Sequence, residues 1–166
     1  MLGFTPDDVE QVYEIRKAFE CLGLRNVMGS LQPSDLMEFE RRHETLNRKK
    51  GPRWSGEFAR LDEEFQRFIL SNPRNRRLLG LSGSDRTPDR VSAPGSRNHH
   101  HARRAGEQHV DILRALLARD AQLAERLLAE QIETSKRNAL ELFLTGNGAT
   151  PARSSRGVLD NRMVLH

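Results

Sequence analysis

Cysteine, aromatic residues and long apolar runs are scarce in this chain of 166 residues. The single cysteine, Cys21, excludes an internal disulfide and indicates a reducing compartment. No apolar run approaches the roughly 18 residues of a transmembrane helix, and the N-terminal MLGFTPDDVE lacks the early basic residues of a secretory signal. No segment alternates apolar and polar residues as a half-buried strand does. We therefore expect a cytoplasmic, helical protein that does not enter a membrane.

The excess of basic residues is small, with 27 Lys and Arg against 23 Asp and Glu. Much of this excess falls in residues 85–104 and in the tail from 145, both of which have the composition of loops. A nucleic-acid surface usually needs basic residues that are ordered on one face of the protein. We therefore do not expect this chain by itself to bind DNA or RNA with sequence specificity.

Start signals and apolar spacing divide the chain into helices. Thr5, Pro6 and the two acids that follow provide an N-cap and a first turn, and Asp120 provides a cap for a last long helix. Apolar residues at three- and four-residue spacing predict helices at about 6–28, from about 33, at 57–71, at 103–119 and at 120–144, with a short additional helix reaching 81. The predicted fold is all-α, an antiparallel bundle of about six helices.

The composition also predicts the domain boundaries. Residues 5–144 form one helical domain, and within it 82–102 is expected to be a mobile loop because it has almost no apolar residues. The three consecutive histidines 99–101 fall inside this predicted loop, where solvent contact is expected. Residues 145–166 are expected to form a disordered tail.

Polar residues interrupt the apolar faces of four predicted helices. They are Arg16 with Glu20, Asp62 with Gln66, His109, and Gln131. An unpaired buried polar group costs roughly 1–3 kcal/mol, and an unpaired charge costs more. These groups can meet in one internal polar pocket, as ligand sites between bundle helices do. They can also be separate structural pairs, such as an i,i+4 ion pair of Arg16 with Glu20.

Three segments carry a resemblance to a known family. VYEIRKAFE, LDEEFQRFILSNPRN and EQHVDILRALLARDAQLAERLLAEQI occur in an order and spacing similar to the effector-binding domain, called FCD, of FadR-type regulators in the GntR family. The resemblance covers roughly residues 8–144 and is weakest between 82 and 102. It implies an all-helical bundle that usually dimerises and that follows a winged helix-turn-helix domain in the complete regulator.

The resemblance also implies a site. Many members of the family hold a divalent metal through one Asp and three His; here Asp62 and His109 match two of these ligands, whereas Gln66 and Gln131 stand in place of the other two. We therefore expect no resident cofactor and at most weak binding of zinc or nickel, because amide oxygens are poor ligands for such ions. The same four residues, together with Arg16, are predicted to bind the effector, with Arg16 facing a ligand carboxylate.

The implied function is that of an effector-sensing domain of a GntR-type transcription regulator. A small organic acid is the expected ligand and a homodimer is the expected state. Operator DNA is expected to be contacted only through a winged-helix domain, which this sequence does not show. The alternative is a stand-alone helical dimerisation module that binds no small molecule.

Enzymatic activity is not expected. Glu40 and His43 form a single Glu-x-x-His, whereas di-iron bundles use this motif twice, and His43 also fits the apolar stripe of its helix. Cys21 has no obvious base as a partner, so we interpret it as a small core residue.

Overall fold

The computed structural model describes residues 5–49, 54–71 and 99–145. Over these ranges it is all-helical, which confirms the predicted fold class. Its five helices are α1 (Pro6–Val27), α2 (Pro33–Arg48), α3 (Trp54–Leu70), α4 (His99–Leu117) and α5 (Ala121–Leu144). The predicted short helix reaching 81, most of the predicted 82–102 loop and the tail beyond 145 lie outside the described residues.

The two predicted helix caps are present. At the start of α1 the Asp8 amide donates to Thr5 Oγ1 at 3.2 Å, and the Thr5 amide donates to Asp8 Oδ2 at 2.7 Å. This reciprocal capping box satisfies two of the amides that a helix start leaves without a partner. At the start of α5 the Leu123 amide donates to Asp120 Oδ1 at 2.9 Å. The starts of α1 and α5 are therefore determined by the local sequence.

Two helix starts differ from the predictions, and in both cases tertiary packing extends the helix. α3 begins three residues early, at Trp54, whose buried indole donates Nε1–H to the carbonyl of Leu46 at 2.8 Å and stacks on Phe58. α4 begins at His99, so the prediction that 99–102 belong to a loop is wrong. Ala102 is buried against the same aromatic cluster, which stabilises a first turn that its own composition does not favour.

The first and the last of the described helices lie side by side. α2 lies along α4, α4 along α5, and α5 along α1, while α3 contacts α1, α2 and α4. α4 and α5 are joined by residues 118–120 alone, so these two helices run antiparallel. The main core lies among α1, α3, α4 and α5, with Leu24, Phe65, Ile112 and Leu128 almost wholly inaccessible.

Cys21 belongs to this core, as the sequence predicts. Burial raises the pKa of its thiol, so the group is a packed apolar side chain rather than a reactive thiolate.

Candidate functional site

A cavity of about 60 Å³ lies among α1, α3, α4 and α5. Its wall is unusually polar for the interior of so small a bundle. Each of the four helices contributes at least one polar side chain, and these include Arg16, Asp62, Gln66, His101, Gln131 and Ser135. The structure therefore brings together residues that are separated by more than a hundred positions in the sequence.

Arg16 forms the cationic corner of the cavity. Its Nε donates to Glu20 Oε1 at 3.0 Å, one turn further along α1. Its guanidinium also lies 4.9 Å from the centre of the Tyr13 ring. Burial acts to lower the pKa of Arg16, but the nearby negative charges, above all that of Glu20, outweigh this effect and raise the pKa above its ordinary value. The guanidinium is therefore permanently charged.

Glu20 completes this corner from the buried side. Its side chain keeps only 6 % of its exposure. Burial raises the pKa of Glu20, while the charge and the hydrogen bond of Arg16 act in the opposite direction. The predicted i,i+4 pair therefore exists, and its Arg16 member borders the cavity.

Asp62 forms the acidic corner. Its Oδ2 accepts a hydrogen bond from Gln66 Nε2 at 3.3 Å, and its Oδ1 lies 3.5 Å from His109 Nε2. Desolvation raises the pKa of Asp62 to about 6, although Arg16 acts to lower it. The contacts to Asp62 are long for charge-assisted hydrogen bonds, so this carboxylate is only weakly stabilised by the protein.

His109 lies behind Asp62, in the core rather than in the cavity wall. Its ring is 1 % exposed and packs against Phe65 and His43, with ring centres 4.4 and 4.9 Å away. Burial lowers the pKa of His109 to about 3, so the imidazole is neutral near pH 7. His109 therefore acts on the cavity only through its contact with Asp62.

Gln131 lies on α5 and is buried, with 4 % of its surface exposed. Its Nε2 donates to Ser135 Oγ at 3.2 Å, one turn further along the helix. Together the two side chains give α5 a short polar stripe that faces Arg16 and Asp62 across the cavity.

The predicted residues thus share one site, with four of the five in the cavity wall and His109 directly behind it. The cavity wall also includes residues that are absent from the predicted set, among them Tyr13, His101 and Ser135. Tyr13 and Ser135 lie one turn from Arg16 and Gln131, so helical spacing from the predicted residues could have indicated them. His101 could not be found this way, because the composition of its segment predicts a solvated loop. The position of His101 in α4 corrects that prediction.

The comparison with known families identifies one family. The model of the FCD domain matches residues 11–134, which include all five predicted site residues. The chain belongs to the FCD domain family. No curated protein and no solved structure matches it. FCD domains are the effector-binding domains of GntR-family transcription regulators, a regulatory rather than a catalytic family.

The metal that many FCD domains bind does not fit the donors of this chain. Within the described residues no group of three or more His, Cys, Asp or Glu side chains is placed to hold an ion. Gln66 turns an amide donor toward Asp62, and Gln131 does the same toward Ser135. Catalytic zinc sites usually offer three protein ligands and structural sites four, whereas Asp62 and His109 supply two.

The other chemical motif of the sequence is structural in this FCD domain. His43 is wholly buried against Phe65 and His109, and the carboxylate of Glu40 accepts a hydrogen bond from Arg114 at 2.7 Å. The two side chains therefore serve packing and an ion pair between α2 and α4.

In the part of the chain that the structure describes, the helices are too short or too polar to cross a membrane.

Proposed function

We propose that this FCD domain binds a small organic acid in the cavity among α1, α3, α4 and α5. The position of Arg16 carries the proposal. Its guanidinium is 16 % exposed and borders the cavity, and its hydrogen bond to Glu20 uses Nε. The Nη groups provide further donors, and a guanidinium recognises a carboxylate with two parallel hydrogen bonds.

The two glutamines support the same ligand chemistry. Gln66 and Gln131 stand where the family has metal-binding histidines, and both border the cavity. Their amide groups can donate directly to a ligand carboxylate that a metal would otherwise bind. The volume of about 60 Å³ limits the ligand to a few non-hydrogen atoms. Asp62 completes the proposed site as a hydrogen-bond acceptor, and the neutral His109 contacts Asp62 from behind.

In the complete regulator we propose that the ligand alters the packing of the helices. Arg16 lies on α1, Asp62 on α3 and Gln131 on α5, so one bound molecule contacts three helices. A ligand that favours one packing changes the spacing of paired DNA-binding domains and hence the affinity for the operator. The winged-helix domain of the regulator makes the contact with operator DNA, in the cytoplasm.

Substitution of Arg16 tests the proposal. We expect Arg16→Met to abolish the binding of small carboxylates, measured by calorimetry against a panel from acetate to succinate. Because the substitution leaves the buried Glu20 without its partner, the double variant Arg16→Met with Glu20→Gln keeps the measurement interpretable if the single variant is unstable. The control is Arg25→Met, since Arg25 lies on the same helix but pairs with Glu125 on the surface.

The result also separates the two functions under consideration. Unchanged affinity in the Arg16 variants would make Arg16 a structural partner of Glu20. If the unmodified chain binds none of the acids but still associates with itself, a dimerisation module without a ligand is the better interpretation.

A further inference from the structure

The charges around the cavity do not balance. Arg16 is the cation in the wall, and it is already hydrogen-bonded to the carboxylate of Glu20 at 3.0 Å. Asp62 adds a second carboxylate that borders the same space. One cation thus faces two acids, and an incoming carboxylate would add a third negative charge to a largely desolvated site.

Among the described residues Asp62 has no direct contact with a cation, although the charge of Arg16 acts on it from a distance. The contacts that the described residues make to it come from a neutral amide at 3.3 Å and a buried imidazole at 3.5 Å. Neither group carries a positive charge near pH 7, and neither contact is as short as a charge-assisted hydrogen bond. The Asp62 side chain nevertheless keeps 32 % of its exposure, so its carboxylate is accessible to a ligand.

The other ionisable groups nearby do not provide the missing charge. Lys136 and Lys17 both pair with Glu133, at 3.0 and 3.1 Å. His101 borders the cavity from α4, and the test below separates its contribution from that of the ligand by working above about pH 7. A metal ion is disfavoured by the amide side chains of Gln66 and Gln131. The remaining source of positive charge is the ligand.

We infer that the ligand is a small amino acid, whose carboxylate binds Arg16 and whose ammonium group binds Asp62. This inference rests on the proposed function and narrows its ligand class. A zwitterion adds no net charge, so its ammonium group compensates Asp62 while its carboxylate takes the free donors of Arg16. A simple acid of the same size leaves Asp62 uncompensated.

The remaining polar groups suit an ammonium group, which has three donors and needs as many acceptors. Asp62 supplies its carboxylate. Gln131 donates its Nε2 to Ser135, so its amide oxygen remains an acceptor, and the Ser135 hydroxyl offers a second. The cavity of about 60 Å³ suits an amino acid of the size of glycine, alanine or β-alanine.

Matched pairs of ligands test the inference by calorimetry, at about pH 8 so that imidazoles are neutral, and with a chelator present. Alanine is compared with lactate, and β-alanine with 3-hydroxypropionate, because each pair differs only in an ammonium group and a hydroxyl group. We expect one of the amino acids to bind at least about tenfold more tightly than its hydroxy acid.

The variant Asp62→Asn keeps the shape of the side chain and removes its charge. We expect it to bind the amino acid and the hydroxy acid with similar affinity. The control is Glu63→Gln, because Glu63 is the adjacent acid on α3 and pairs with the exposed Arg67. This variant should keep the preference of the unmodified chain.

The possible failures are distinguishable. Equal or tighter binding of the hydroxy acids to the unmodified chain would overturn the amino-acid inference and leave the proposed function intact. A preference that survives Asp62→Asn would also overturn it. If none of these ligands binds, both the inference and the proposed function are wrong for this cavity.

Discussion

At the scale of single residues, the described part of the chain places ionisable side chains where apolar ones would pack more easily. His43 is the clearest case outside the cavity: it is wholly buried, and neither ring nitrogen has a hydrogen-bond partner among the residues that the structure describes. A buried group without a partner costs roughly 1–3 kcal/mol. Residues of this kind reduce the stability of the fold. Because they are ionisable, they also make that stability depend on pH.

The first prediction concerns this sensitivity. Burial lowers the pKa of His43 from its ordinary 6.5 to about 3, so the unfolded chain takes up a proton first as the pH falls. The folded state therefore loses stability between pH 6.5 and 3, by up to about 1.4 kcal/mol per pH unit for each such histidine. We expect His43→Leu to flatten this loss in urea unfolding curves measured across that range.

His109, whose pKa is also lowered to about 3, would continue to destabilise the variant at acid pH, so the loss should be reduced rather than abolished. Met37 provides the control, because it lies on the same helix as His43 and is 60 % exposed, so Met37→Leu should leave the curve unchanged. An unaltered pH dependence in His43→Leu would show that His43 is protonated in the folded domain.

The second prediction concerns the metal. Asp62 contacts Gln66 and His109, and Gln131 borders the same cavity, so the double change Gln66→His with Gln131→His should create a zinc or nickel site. Elemental analysis after dialysis is expected to find about one ion per chain in the double variant and none in the original. A full equivalent in the original chain would refute the assignment of a degraded site. No gain in the double variant would mean that the four side chains do not converge.

At the scale of the helices, close approach depends on glycine. An added Cβ at Gly23 would lie 2.8 Å from Leu70 Cδ2 and 3.1 Å from the carbonyl oxygen of Ile69. Glycine in a helix costs about 1 kcal/mol relative to alanine, so its presence in α1 is explained by the contact with α3 rather than by local preference. The contact holds α1, which carries Arg16, beside α3, which carries Asp62.

The third prediction compares two glycines. Gly23→Ala should destabilise the domain by about 1–3 kcal/mol, because the new methyl group overlaps the Leu70 side chain and lies tightly against the carbonyl oxygen of Ile69, and the gain in helix propensity does not offset this. Gly56→Ala should stabilise it by about 0.5–1 kcal/mol, since a Cβ there meets nothing within 4 Å. Thermal unfolding followed by circular dichroism measures both. The same sign for both substitutions would contradict the packing described for Gly23.

At the scale of the whole molecule, the outer face of α1 exposes apolar side chains. Ile15 and Leu22 are 55 % and 41 % exposed and lie seven residues apart, on one side of the helix. Isolated apolar residues are common on surfaces, but a pair on the face opposite the core fits a contact with a second copy. FCD domains of GntR regulators dimerise, and we propose the same for this chain.

The fourth prediction is therefore a dimer at micromolar concentration in sedimentation equilibrium. The double change Ile15→Glu with Leu22→Glu is expected to shift the equilibrium strongly toward monomer, because two charges would then face each other across the interface. Met37→Glu is the control, as Met37 is 60 % exposed on a different helix. A monomer in the unmodified chain would count against dimerisation, and an unaffected dimer in the double variant would place the interface elsewhere.

The amino-acid sequence by itself determined where the helices lie, apart from the starts of α3 and α4, and indicated four side chains that border the cavity: Arg16, Asp62, Gln66 and Gln131. Thr5 and Asp120 fix helix starts by hydrogen bonds within one turn, and the spacing of apolar residues fixes the buried faces, so both are local properties. Tertiary structure alone decided where α3 and α4 begin and which charged side chains meet at the cavity. Trp54 and Ala102 extend their helices through packing on other helices. The charge excess at the cavity depends on α1 and α3 lying side by side, because an electrostatic interaction is set by distances in space and not by separation along the chain.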